Sequence, residues 1–165
     1  MFHLVLLIII MIMSFKGWEA LPPSGKEQDM THKEIQEEII KKYRVDICDG
    51  TKCKDDWHRT HAHVKIRRVC KWKQSNSIQS TFTLLHEVGH IETTKGTMRR
   101  AEEEYHATVW ALEKCKEYGL DVPESIIERY QDYIDREVAR GQRRGGSGYG
   151  KLVLIDSDHA TKVRL

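Results

Sequence analysis

Net charge is almost missing from this sequence: 27 basic residues face 25 acidic ones over 165 positions, leaving +2. Overall charge therefore selects neither nucleic acid nor a membrane surface as partner. Cysteine is scarce too. Cys48, Cys53, Cys70 and Cys115 are unevenly spaced and form no CxxC pair, which excludes a disulfide-dense scaffold and a zinc held by cysteines alone at ribbon spacing. A single Cys48–Cys53 bridge after export stays open, with free thiols the plainer reading. No segment repeats, so a solenoid is excluded, and no helix-turn-helix pattern stands out. What is present, 32% charged and 39% hydrophobic residues, suits one soluble domain.

No apolar run reaches the ~20 residues of a membrane-spanning helix. The nearest, Phe2 to Phe15, has the length of a signal-peptide hydrophobic region. It has no Lys or Arg in front, and bulky Trp18 stands where cleavage after Ala20 would want a small residue. Export, membrane association through residues 2–15, and a cytoplasmic protein with a misplaced start all remain open. The expected organisation is an apolar leader over 1–20, a linker over 21–30, a folded domain over 31–141 and a flexible, basic, glycine-rich segment over 142–165.

Within the domain, Thr31 with Glu34 three residues on is a capping-box pattern, and Ile35, Ile39 and Ile40 follow at helical spacing, predicting a helix to about Tyr43. Asp46 to Asp56 reads as a loop. His63 to Trp72 is rich in β-formers, with Val64 and Ile66 alternating against charged neighbours, and predicts one or two strands. Ser75, Asn76 and Ser77 can start a helix whose apolar stripe is Ile78, Phe82 and Leu85. A third helix is expected over Met98–Tyr118, closed by Gly119. A fourth should open at Asp121-Val122-Pro123, bury Ile126, Ile127, Tyr130, Ile134 and Val138, and end by Gly141. The fold class expected is α+β, a small sheet with several helices.

The second helix runs into His86-Glu87-Val88-Gly89-His90. Histidines four apart on a helix share a face and can hold one metal ion. Glu87, about 100° further round, can reach a water at that metal without competing for it. A chain with nine histidines can spell HExxH by chance, so a third donor decides the matter. Glu102, Glu103 and Glu104 on the third helix are the candidates. If Ala101, Tyr105, Thr108, Val109 and Leu112 mark the buried side, helix phase puts Glu102 and Glu103 toward solvent with His106. It puts Glu104 beside Ala107, Ala111 and Cys115, small residues that let another helix approach. Glu104 is therefore the expected third ligand.

HEVGH followed by Glu104-Tyr105-His106-Ala107-Thr108 and Trp110-Ala111 resembles the ImmA/IrrE-type gluzincin metallopeptidases and small phage-encoded metallopeptidases. Their downstream helix typically reads ExxA(N/D)xFA. The resemblance spans about residues 75–118. Thr108 replaces the usual Asn or Asp, Trp110 replaces Phe, and the gap from His90 to Glu104 is short for the family. What it implies is a zincin-like arrangement, Zn2+ on His86, His90 and Glu104, Glu87 as general base, and hydrolysis of a protein or peptide substrate, a regulatory protein among the candidates. Tyr105 and His61 are candidate oxyanion donors that the sequence does not place.

Three further features carry competing readings. His61 and His63 can share one face of a strand and bind metal, with His58 off that face; a polar strand edge is the plainer reading. The basic run Arg136–Lys151 could contact phosphates, but reads first as a solvated helix end and linker, so nucleic acid is not an expected partner. Trp57, Trp72, Trp110 and Tyr130 read as core or interface anchors. The alternatives to a peptidase are a non-catalytic domain stapled by zinc and a nucleic-acid-associated accessory protein.

Overall fold

The computed structural model describes residues 30–49, 60–147 and 152–154. The apolar leader, nearly all of the linker, Cys53, Trp57, His58 and much of the C-terminal segment lie outside the described residues. Among the described residues the architecture is α+β, with four α-helices and a three-stranded mixed sheet.

Helix α1, His32–Lys42, begins with the expected capping box. The Glu34 carboxylate accepts from Thr31 N–H at 2.7 Å, and Thr31 Oγ1 accepts from Glu34 N–H at 3.3 Å, so two donors left over at the helix start are satisfied reciprocally. Its buried face is Ile35, Gln36 and Ile39. Gln36 Nε2 donates to Ser75 O and to Thr81 Oγ1, each at 2.8 Å, which ties α1 to the first turn of the helix that follows and to the residues just before it.

The stretch read as a loop from Asp46 begins instead with a strand, β1, Asp46–Cys48. Three residues are too few for alternation to register in the sequence, and pairing with a distant partner makes the strand. That partner is β3, Arg68–Cys70, to which β1 runs parallel with Ile47 opposite Val69. β2, His61–His63, pairs antiparallel to β3, giving the order β1-β3-β2. Val64 and Ile66, expected on a strand, form a 3-10 turn between β2 and β3. Arg67 closes that turn at φ 50°, in the left-handed region, and this reverses the chain and leaves Ile66 56% exposed. Val69 and Ala62 face the apolar core.

Helix α2, Ile78–Thr93, is capped by Ser77, whose Oγ accepts from Ser80 N–H at 3.2 Å. Phe82, Leu84, Leu85 and Val88 lie at the centre of the core. Helix α3, Arg100–Glu117, packs along α2 more extensively than any other pair of elements. It stops at Tyr118, with Gly119 at φ 64° supplying the left-handed residue after the helix. Helix α4, Glu124–Arg143, follows Pro123 and runs two residues past Gly141. Ile127 and Ile134 join Tyr105 and Leu154 in a second apolar cluster. Leu154 reaches it because the Gln131 side chain acts as a backbone partner, accepting from Leu154 N–H at 2.6 Å and donating to Leu152 O at 2.9 Å.

Candidate metal centre

HEVGH occupies the last turns of α2, and all five of its residues are buried. The reason is local. Gly89 stands against the backbone of α3, where a Cβ would lie 2.6 Å from Ala107 O and 2.9 Å from Ala107 Cα. Only glycine fits there, and with Ala107 and Ala111 opposite, the two helices close to near backbone contact. This close approach brings Glu104 under the two histidines.

His86, His90 and Glu104 are 4%, 6% and 1% exposed. Glu104 Oε2 lies 3.2 Å from His86 Nε2 and 3.4 Å from His90 Nε2. Tetrahedral bonds of ~2.0–2.1 Å place neighbouring donors about 3.3 Å apart, which these two separations match, and one ligand atom from each of the three residues lies within 4.8 Å of the others. Of the three consecutive glutamates in the first turns of α3, Glu102 and Glu103 are only partly buried, and His106 is exposed. The centre of the buried face is Glu104, Ala107, Thr108 and Ala111, while Val109 and Leu112 lie at its margin.

Thr108 fixes a proton on His86. Its hydroxyl donates to Glu104 O at 2.7 Å, which commits its one proton. Its contact with His86 Nδ1 at 3.2 Å must therefore run from the imidazole to the hydroxyl oxygen, so Nδ1 carries a proton; Nε2 faces Glu104, donating to it when the ring is charged and open to a cation when the ring is neutral. The neutral form is the tautomer a metal-ligating histidine needs, held by a group behind it. The Glu104 carboxylate is held on its other side. Arg100 NH2 sits 2.5 Å from Oε1, a charge contact without hydrogen-bond alignment, leaving Oε2 for the histidines. Burial alone would raise the Glu104 pKa, but the hydrogen bonds and charges of His86 and His90 outweigh it and hold the carboxyl well below its usual range.

No family model, curated protein or solved structure matches this chain. What the site can do is therefore argued from its own residues.

Glu87 is 8% exposed, one position along α2 from His86. Helix α4 supplies Tyr130, whose ring lies 4.6 Å from that of His86 and 5.0 Å from Phe82. Burial first, and the Glu87 charge second, push the Tyr130 phenol up to about 12, and Thr83 hydrogen-bonds it. Tyr133, one turn on, hydrogen-bonds Arg100. Of the two candidate oxyanion donors from the sequence, Tyr105 packs with Ile127 and Ile134, and His61 sits on β2. Sequence reading missed Thr108, Arg100 and Tyr130. The first two lie four residues from Glu104 on one helix, a spacing that could have pointed to them. Tyr130 looks like any apolar anchor until α4 is packed.

Proposed function

We propose that this chain is a zinc-dependent peptidase of zincin-like arrangement, related in chemistry to the ImmA/IrrE-type enzymes its motifs resemble. The observation that carries the reading is the convergence of His86 Nε2, His90 Nε2 and Glu104 Oε2, with Glu87 beside it on the same helix. Two imidazoles and a carboxylate with borderline-hard donors suit Zn2+, and three protein ligands leave a fourth position open, the mark of a catalytic rather than a purely structural site. Zinc there supplies Lewis acidity, which polarises a carbonyl and acidifies a water.

The protein's own groups do the rest. Glu87 takes the proton from the attacking water and returns it to the leaving amine, so that the peptide C–N bond breaks to a carboxylic acid and an amine. Arg100 and Thr108 hold Glu104 and His86 in place. Tyr130, neutral at ordinary pH and with its ring against His86, can donate a hydrogen bond to the oxygen on which charge develops. The substrate is a protein or peptide, and a regulatory protein is the candidate the resemblance suggests.

The test is bound metal and peptide hydrolysis in parallel. Zinc should be stoichiometric in the parent, in Glu102→Ala and in Glu103→Ala, and lost or much weakened in Glu104→Ala. Glu87→Gln should keep zinc and lose hydrolysis of a casein or quenched-peptide library by about 10²–10⁴-fold. Zinc indifferent to Glu104 would sink the site. Hydrolysis unaffected by Glu87→Gln, or absent from the zinc-loaded parent, would leave only a zinc-stapled domain.

A further inference from the structure

The outer face of the sheet carries a second set of donors. Ala62 and Val69 are opposite one another and belong to the core, so the residues on either side of them point away from it, as side chains alternate along a strand. On β2 these are His61 and His63. On β3 they are Arg68 and Cys70, with Cys70 directly opposite His61 and diagonal to His63. One ligand atom from each of His61, His63 and Cys70 falls within 4.8 Å of the others. The Cys70 side chain is buried completely, and His61 Nε2 is buried as well. The two imidazole rings stand edge to face at 5.1 Å. Arg68, the remaining residue on that face of β3, reaches Asp46 at 2.6 Å.

We infer that His61, His63 and Cys70 form a second metal site, separate from the His86–His90–Glu104 centre, that takes a borderline-soft divalent cation of the zinc or cobalt kind across β2 and β3. The donor chemistry sets the class. A thiolate with two imidazoles disfavours Mg2+ and Ca2+, which want oxygen, and favours Zn2+ and its neighbours in the first transition row. The cysteine spacing alone pointed away from a zinc site because it counted only sulfur; a mixed set assembled by strand register has no CxxC signature. Its role would be a clamp. β2 and β3 are three residues long each, and pairs of strands so short hold together poorly in water without help. A cation bonded to both would fix their register, releasing the Cys70 thiol proton as it binds.

The inference does not rest on the peptidase reading, and sulfur makes it separately testable. The His86–His90–Glu104 centre holds no sulfur, so a thiolate-to-cobalt charge-transfer band in the near ultraviolet reports the sheet site alone. The full chain, fully reduced and titrated with Co2+, should develop that band. The band should persist in His86→Gln/His90→Gln, with one of two equivalents of metal lost, and in Cys53→Ser. It should vanish in His63→Gln at unchanged far-ultraviolet circular dichroism, with the other equivalent lost. A reduced parent that binds Co2+ without the band overturns the inference, whatever the variants do. So does a band that survives in His63→Gln or disappears in Cys53→Ser.

Discussion

Between α2 and α3 the polar donors are enclosed: three side chains under 10% exposed, pressed together by a helix crossing that only Gly89 permits. Across β2 and β3 the donors are shallower, with His61 and His63 half-buried and only Cys70 fully covered. The helix pair would hold its shape without a metal, because Leu84, Leu85 and Val88 on α2 bury themselves on the side away from the donors. The strands bring only Ile47, Ala62 and Val69 to the core, and a cation bonded to the outer donors would add to that hold. A site set in a packed core is preorganised for chemistry; a site at a short sheet is better suited to holding the sheet together.

The sharpest way to break that contrast is to open the helix crossing. Gly89→Ala should gain roughly 1 kcal/mol of helix propensity, yet its Cβ would meet backbone atoms of Ala107 at 2.6 and 2.9 Å. Backbone cannot rotate away as a side-chain tip can, so the clash should win. The expected result is a net loss of about 1–3 kcal/mol and zinc affinity at the helix site at least about tenfold weaker, read by urea unfolding and chelator competition. The Co2+ band of the sheet site should be unchanged.

A smaller effect on the same side comes from Thr108→Val, which keeps shape and removes the hydroxyl that accepts from His86 Nδ1. Zinc affinity should fall about 10–100-fold while stability drops by about 1–2 kcal/mol. Thr108→Ser should restore most of the affinity. If valine binds zinc as well as threonine does, the tautomer argument fails.

The two regions also differ in how far the sequence announces them. Helix periodicity separated Glu104 from Glu102 and Glu103 using neighbours within two turns, and the burial of α3 follows that phase, because a helix carries its geometry locally. The alanines of α3 read as a close approach for the same reason, while the part of Gly89 in it comes from the structure. The sheet could not be read so. β1 is too short to show alternation, Ile66 is apolar yet turns outward at a left-handed Arg67, and Cys70 meets His61 only through a register set by tertiary packing. Tyr130 falls between these cases: its burial face on α4 was legible, but its place beside His86 depends on where α4 docks.

Tyr130 gives a pH-dependent prediction with a definite sign. Its phenol is raised from 10.0 to about 12, so the fold favours the neutral form. The unfolded chain ionises first as pH rises, so Tyr130 contributes its stability fully below the unfolded value and loses it as pH climbs from there through about 12. The amount is on the order of 3 kcal/mol at most. Urea midpoints of parent and Tyr130→Phe should therefore converge in that interval, with a residual slope left by Tyr105, Tyr118 and Tyr133, whose phenols are raised as well. Parallel curves across it would mean that Tyr130 is not so enclosed.

The smallest effect belongs to the Arg68–Asp46 ion pair on the sheet's outer face. The side chains of Arg68 and Asp46 are 33% and 56% exposed, so water and salt screen the pair, and Asp46→Ala should lower stability by less than about 1 kcal/mol. A cation bound at His61, His63 and Cys70 acts by mass action on the folded state, and at a hundredfold excess over its Kd it stabilises by about 2.7 kcal/mol. In the His86→Gln/His90→Gln background, zinc should thus raise the urea midpoint of Asp46→Ala by more than the substitution lowered it. If Asp46→Ala proves the larger effect, the sheet is held by its surface charges, and the donors on its outer face are no clamp.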